Sequence, residues 1–304
     1  MLAELAARYP QVRETFAEAS DVLEHDLWQL ATKGPADQLN TTTITQPVLL
    51  AAGVACWRVV QAASQRAGDS MRPDYLAGHS LGEYTALTVA GTLDFASAVR
   101  LVAERARLMQ SAAPEGVGKM AAIIGLDDMA VVNACYQAQT VGMVSAANFN
   151  SPGQVVIAGA APAVDAAIEL CQQAGARRAM PLPVSVPSHC ALMRPAAEQL
   201  GFTLRKLTLT DPDIPVVHNV DAGTHHDAAD IAELLITQLY KPVRWTQSVQ
   251  WLLDQGVTRF AECGPGNVLG GLIKRIAKEH STDTEVSLFR LDDPQQVQAL
   301  LQAG

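Results

Sequence analysis

No run of this 304-residue chain approaches the ~18 consecutive apolar residues that a membrane helix needs. Its first residues, MLAELAARYPQVRETF, carry charge early and hold no signal-peptide h-region. Basic charge is also scarce. Twenty-two Lys and Arg against 31 Asp and Glu leave a net −9, which excludes a sequence-independent nucleic-acid binder. The five cysteines (Cys56, Cys135, Cys171, Cys190, Cys263) are scattered without a C-x-x-C pair. That spacing argues against a zinc site and against a disulfide framework. There is no internal repeat and no low-complexity tract. What the chain does have is apolar material, 49% of its residues, enough for a core and incompatible with disorder. At ~100–200 residues per domain the length suggests two domains. The expectation is a soluble, reduced, cytoplasmic protein with no membrane segment.

Strands alternating with helices point to an α/β layer with a mainly parallel sheet. Pro47 opens an apolar helix running to about Arg66, and a polar loop from Gly68 to Asp74 follows. Tyr75-Leu76-Ala77 reads as a short buried strand and Leu81–Ala90 as a helix. Asp94 caps a helix from Phe95 to about Gln110. The middle of the chain has another rhythm. Strands at Lys119–Gly125, Met143–Asn148, Gln154–Ala160 and Arg178–Pro183 frame helices at Asp127–Gln137 and Ala163–Ala174. That is β-α-β-β-α-β, the ferredoxin-like order. It predicts a small domain over 116–185 inserted into a larger, discontinuous one formed by 1–115 and 186–304. Beyond it come a helix from Cys190, a strand near Ile214–Asn219, helices at Ala228–Tyr240 and from Trp245, a strand at Thr258–Cys263, a helix to Lys278, and a strand at Val286–Leu291.

Gly78-His79-Ser80-Leu81-Gly82 matches G-x-S-x-G and falls between the short strand and a helix, where a nucleophile elbow belongs. The glycines permit a tight turn that pushes the Ser80 hydroxyl outward. The Leu81 N–H and the helix N-terminus then face any oxyanion formed there. The plainer alternative is a Gly-rich turn with a capping serine. A serine nucleophile needs a base. Of seven histidines, His25, His225, His226 and His280 lie in polar surroundings, and His79 sits inside the elbow, pointing away from the serine. His189, at the junction where the small domain ends, and His218, in an apolar strand, both remain candidates. Arg105 falls within the apolar arc of its helix, beside Leu101, Val102, Ala106, Leu108 and Met109, at 100° per residue. A guanidinium there is one half of a structural ion pair, the snorkelling end of a long side chain, or a bidentate clamp for a substrate carboxylate.

These residues carry a resemblance. Gly78-His79-Ser80-Leu81-Gly82-Glu83-Tyr84, Arg105 with Met109-Gln110, Asn148-Phe149-Asn150-Ser151-Pro152-Gly153-Gln154 and Pro183-Val184-Ser185-Val186-Pro187-Ser188-His189 resemble the malonyl-CoA:acyl carrier protein transacylase family of bacterial fatty acid synthesis. Gln238-Leu239-Tyr240, Pro242-Val243-Arg244-Trp245 and Glu262-Cys263-Gly264-Pro265-Gly266 extend the match, so it covers nearly the whole chain in order. The resemblance implies an α/β-hydrolase-like large domain carrying the ferredoxin-like small one. It implies Ser80 as nucleophile, His189 as base, Arg105 on the malonyl carboxylate, Leu81 N–H as an oxyanion donor, and the Gln238 carbonyl orienting His189. Asn148 and Asn150 are expected near the cleft, with turn capping as the alternative.

It further implies a ping-pong transfer of malonyl from malonyl-CoA to the phosphopantetheine thiol of acyl carrier protein. Coenzyme A is then a substrate carrier, with no metal and no other cofactor, and the enzyme is a monomer. A serine hydrolase or thioesterase with the same elbow is one alternative, and a non-catalytic carrier-binding remnant is another. The family begins with a strand and a G-Q-G-S-Q loop whose glutamine supplies a second oxyanion N–H, whereas this chain starts at Met1-Leu2-Ala3-Glu4, past that loop; either its start was assigned downstream, or the protein is a natural truncation, and the remnant follows from the second. An insertion is expected near Ser64–Ser70. Docking of an acidic carrier protein on a chain at −9 requires a local basic patch, with Lys274, Arg275 and Lys278, or Arg177 and Arg178, as candidates.

Overall fold

The computed structural model describes every residue except 69, 115, 185, 281–284 and 304. Asp69 of the polar loop, and Glu115 and Ser185 at the expected domain boundaries, the latter also in the stretch before His189, therefore lie outside the described residues. The chain opens with four helices, α1 (Ala3–Arg8), α2 (Gln11–Leu23), α3 (Leu27–Lys33) and α4 (Ala36–Leu39), and then the long α5 (Thr42–Arg66). α5 starts five residues earlier than Pro47 suggests, so the proline lies inside the helix and forgoes the N–H bond to the Thr43 carbonyl. This helix is long and apolar enough to span a membrane by length and composition, but 67% of its most apolar window is buried inside the protein. It packs against α2 and against the later α7.

β1 (Leu76–Ala77) feeds α6 (Leu81–Val89) through the elbow, and α7 (Phe95–Ala112) follows, capped as expected by Asp94, whose Oδ1 accepts from Ser97 N–H at 2.9 Å. Then come β2 (Gly118–Ile124), α8 (Asp128–Ala138), β3 (Val144–Ser151), β4 (Gln154–Ala160), α9 (Ala161–Gln173) and β5 (Arg178–Pro181). Their sheet is antiparallel, in the order β3-β4-β2-β5. Counting only these four strands, the order is 4-1-3-2, the ferredoxin-like arrangement. Both helices cover one face, and Val131, Val155, Ile157, Val164 and Ile168 form a core separate from the main one.

The chain then returns to the large layer. A 3₁₀ turn (Ala191–Met193) precedes α10 (Arg194–Leu204), so the expected helix begins four residues after Cys190. β6 (Val216–Val217), α11 (Ala228–Gln238), α12 (Trp245–Asp254), β7 (Arg259–Glu262), α13 (Val268–Glu279), β8 (Ser287–Arg290) and α14 (Pro294–Gln302) complete it. The sequence reading had no counterpart for α1–α4 or α14. The pairing in this layer is parallel, β1 with β6 and β7 with β8, in two separate ribbons. Between the ribbons lies a cavity of about 790 Å³, lined by Leu76, Ala77, Phe260, Ala261, Leu272 and Leu291 among others. The small domain is tied down where Phe149 N–H donates to Val243 O and Val243 N–H to Ala147 O, both at 2.9 Å. Arg275 adds bonds to Ser151 Oγ and Gln154 Oε1.

The elbow needs only one of its two glycines for steric reasons. A Cβ at Gly78 would lie 1.9 Å from the Gly82 carbonyl carbon, whereas one at Gly82 meets nothing within 4 Å. Gly78→Ala is therefore expected to lower stability by about 1–3 kcal/mol or more through forced backbone shifts. Gly82→Ala, on a helix, is expected to be neutral or to gain up to about 1 kcal/mol. Urea unfolding of the two variants checks the contrast.

Candidate active site

Ser80 occupies the single residue between β1 and α6 that must turn sharply, at φ 51° and ψ −106°, a region L-residues rarely adopt. Asn219, just past β6, holds the turn from the side. Its Oδ1 accepts from Ser80 N–H at 2.7 Å and its Nδ2 donates to Gly78 O at 2.7 Å. Gly82 N–H and Glu83 N–H are spent on His79 O and Ser80 O. The intervening Leu81 N–H, at the first position of α6, is one of the helix's unpaired N-terminal donors, with no hydrogen bond among the described residues.

Ser80 Oγ lies 2.7 Å from His189 Nε2. His189 is buried, at φ 61°, with its backbone N–H donating to Leu239 O. Its Nδ1 is 2.8 Å from the Gln238 carbonyl, which can only accept. Nδ1 therefore carries the proton, Nε2 is the free base, and the serine hydroxyl donates to it. Burial, then the nearby Arg105 charge, hold the His189 pKa down at about 3, against the raising effect of the Gln238 carbonyl. His218, the other candidate base, is fully buried elsewhere. Its Nδ1 donates to Glu83 Oε1 at 2.7 Å.

Arg105 is 1% exposed, the largest fully buried side chain described. Nη1 donates to Gln46 Oε1 at 2.6 Å, and Nη2 to Gln238 Oε1 at 3.0 Å and to Ser80 Oγ at 3.2 Å. The guanidinium also lies over the Tyr84 ring, 5.2 Å from its centre. No carboxylate touches it among the described residues, so the structural ion-pair alternative has no partner here. Burial pulls the Arg105 pKa down, opposed by Tyr84 and Glu83, and burial pushes the Tyr84 phenol up to about 12.

Asn150 reaches the elbow indirectly. Its Oδ1 accepts from His79 Nε2 at 2.8 Å, and burial lowers the pKa of that histidine. Asn148 is buried where β3 bridges to Val243, and no hydrogen bond joins its side chain to Ser80, His189 or Arg105 among the described residues. The large cavity touches Gly78, His79 and Leu81 but includes neither Ser80, His189 nor Arg105, so it lies behind the elbow. Sequence reasoning assigned no role to Gln46, Glu83 or Asn219. Gln46 precedes a proline in an apolar helix, and Glu83 directly follows the elbow motif at the start of an apolar helix, so each was a polar residue in an apolar setting.

A serine, a carbonyl-oriented imidazole and a buried guanidinium within one hydrogen-bonded cluster coincide with a match of residues 1–303 to the acyl transferase domain. The chain belongs to that acyl transferase family. It is 56% identical over 276 residues to the malonyl CoA-acyl carrier protein transacylase of Haemophilus influenzae, covering 91% of this chain and 87% of that protein. It is 42% identical to the protein of that name from Bacillus subtilis, over 98% of this chain and 91% of the relative. Among solved structures, this acyl transferase superposes on a malonyl-transacylase in complex with its type II PKS acyl-carrier protein (PlMCAT:AntF). The TM-score there is 0.94 at 50% identity, over 100% of this chain and 95% of the other. The malonyl CoA-acyl carrier protein transacylase from Coxiella burnetii gives a TM-score of 0.94 at 43% identity, over 99% and 92% of the two chains. The α/β fold with its added antiparallel domain is thus the fold of these acyl transferases.

With its folded pKa near 3 against an ordinary 6.5, His189 stays unprotonated through neutral and mildly acidic pH. The kcat/KM for acyl-enzyme formation is expected to show no inflection near pH 6.5, and stopped-flow rates from pH 5 to 8 check this. The unfolded chain binds the proton first. This histidine's contribution to stability is therefore present above pH 6.5 and lost as pH falls from there toward 3.

Proposed function

We propose that this chain transfers the malonyl group from malonyl-CoA to the phosphopantetheine thiol of acyl carrier protein, in fatty acid synthesis. The observation that carries the proposal is Arg105, buried and free of any carboxylate, 3.2 Å from the nucleophilic Ser80 Oγ. Malonyl differs from acetyl by a carboxylate one methylene away from the thioester carbonyl. A cation beside the nucleophile recognises that difference, and acetyl leaves it unpaired. A serine hydrolase has no use for such a cation, and a remnant that only binds carrier protein has no use for a Ser80–His189 bond of 2.7 Å.

The reaction runs in two halves. Ser80 Oγ attacks the thioester carbonyl while its proton passes to His189 Nε2. The Gln238 carbonyl, accepting from Nδ1–H, steadies the imidazolium in place of a triad carboxylate. Leu81 N–H stabilises the oxyanion. The C–S bond breaks, coenzyme A takes the proton from His189, and a malonyl-serine ester remains. The carrier thiol then gives its proton to His189 and attacks the ester, and Ser80 recovers the proton as it leaves. This chemistry uses only side chains and backbone, with coenzyme A as substrate carrier and neither a metal nor a redox cofactor. Asn148 and Asn150 serve as cleft-wall residues, Asn150 by fixing His79. We place the enzyme in the cytoplasm as a monomer, with residues 116–185 as the small domain and 1–115 with 186–304 as the catalytic one.

A burst experiment with labelled malonyl-CoA, followed by carrier protein, tests the reading. Stoichiometric label on the protein that moves to the carrier supports it. Release of free malonate without transfer indicates a hydrolase, and absence of label a remnant. Ser80→Ala is expected to abolish the malonyl adduct in intact-mass spectra while the melting temperature holds. Arg105→Ala is expected to lose malonyl transfer by roughly 2–5 kcal/mol in kcat/KM and to keep or gain acetyl transfer. Equal loss for both substrates would instead assign Arg105 to structure.

Lys274, Arg275 and Lys278 are exposed on α13, and Arg275 already spans to the small domain. Lys274→Glu with Lys278→Glu is expected to raise KM for carrier protein several-fold at low salt and to leave the malonyl-CoA half-reaction unchanged. Steady-state kinetics at two ionic strengths check this. An unchanged KM moves the docking site to Arg177 and Arg178.

A further inference from the structure

Behind the serine lies a buried carboxylate that the mechanism above does not use. Glu83, on the first turn of α6, is fully buried. Three donors converge on its carboxylate. His218 Nδ1 reaches Oε1 at 2.7 Å, while Asn219 N–H at 3.2 Å and Gln238 Nε2 at 2.8 Å reach Oε2. A carboxylate accepts and never donates, so the NH₂ end of the Gln238 amide must face Glu83. The same NH₂ donates to Ser80 O at 3.0 Å. With both hydrogens committed on that side, the amide oxygen can point only the other way, and there it accepts from Arg105 Nη2 at 3.0 Å. Glu83, which only accepts, and the guanidinium, which only donates, thereby hold the Gln238 amide in one orientation from its two ends.

The arrangement has an electrostatic consequence. A fully buried guanidinium needs a counter-charge. Had a carboxylate been placed directly on Arg105, it would occupy the nitrogens that a substrate carboxylate must reach, and the substrate would have to displace an ion pair. Here the anion stands one amide away. Neutral acceptors from Gln46 and Gln238 hold the guanidinium in place, and Glu83 offsets its charge across Gln238.

We propose that Glu83 is a specificity-positioning residue: by fixing the Gln238 amide and supplying a counter-charge from one side chain away, it keeps Arg105 charged, oriented and free to take the carboxylate of a malonyl thioester. This rests on the reading of Arg105 as the carboxylate site. Glu83 touches neither substrate nor the reacting atoms.

The test compares kcat and KM for malonyl-CoA and acetyl-CoA in wild type, Glu83→Gln, the exchange Glu83→Gln with Gln238→Glu, and Arg105→Ala. In Glu83→Gln the shape is kept and the charge is lost, and the new amide can turn Gln238 over. The malonyl-over-acetyl preference is expected to fall about tenfold, the size of one lost charge-assisted hydrogen bond, with the change mainly in KM for malonyl-CoA. The exchange restores the net charge but sets a carboxylate directly on Arg105. Its malonyl preference is expected to stay low. A return to the wild-type preference in the exchange, or an unchanged preference in Glu83→Gln, overturns the proposal. If Glu83→Gln does not fold, Glu83→Asp makes the measurement instead, since the shorter side chain withdraws the carboxylate from Gln238 Nε2. Loss of malonyl preference is expected there, and its retention overturns the proposal. If Arg105→Ala itself keeps the preference, the carboxylate-site reading fails instead, so the two failures are separable.

Discussion

A two-residue strand joined to a helix through a serine at φ 51° does not hold that conformation by local preference. The turn depends on a clamp from β6, where one Asn219 amide bonds both the residue before the serine's turn and the serine itself. Asn219 is in turn fixed through its backbone N–H by Glu83, from the helix the turn begins. The elbow is therefore closed on itself through a neighbouring strand. Everything chemical in the protein is placed relative to that closed turn.

Gln238 extends the same network to the other two functional groups. Its backbone carbonyl sets the tautomer of His189, its side-chain oxygen receives Arg105, and its side-chain nitrogen is anchored on Ser80 O and Glu83. One residue at the end of α11 thus couples His189, Arg105 and Ser80, and it is completely buried. The guanidinium can only donate and the Gln238 carbonyl and Glu83 carboxylate can only accept, and together these fix the protons on His189 and on the Gln238 amide. The Arg105 Nε and the His218 Nε2, both without a partner among the described residues, are the network's open ends.

The small domain has its own core and its own sheet, yet it reaches this network through His79 and Asn150. Its attachment is backbone pairing between β3 and Val243, reinforced by Arg275. That joint positions Asn150 over the elbow and leaves Asn148 in the seam between domains.

Much of this was legible in the sequence. The ferredoxin-like order showed as alternating short apolar runs and helical periods, and Asp94 and Asp127 marked helix starts because a side-chain acceptor is needed there. Ser80 followed from its motif, and Arg105 from a charge inside an apolar arc. The sequence left both His189 and His218 as candidates, favouring His189 for its place at the domain junction, since an imidazole's role depends on which atoms face its two nitrogens. A carbonyl and a hydroxyl face one, and a carboxylate faces the other. The separation of the parallel layer into two ribbons and the roles of Gln46, Glu83 and Asn219 were equally hidden. Helical and strand periods are set by residues a few positions apart, and the chain itself carries them. A network joining positions 46, 80, 105, 189 and 238 depends on distances across the folded molecule, and only tertiary packing determines those.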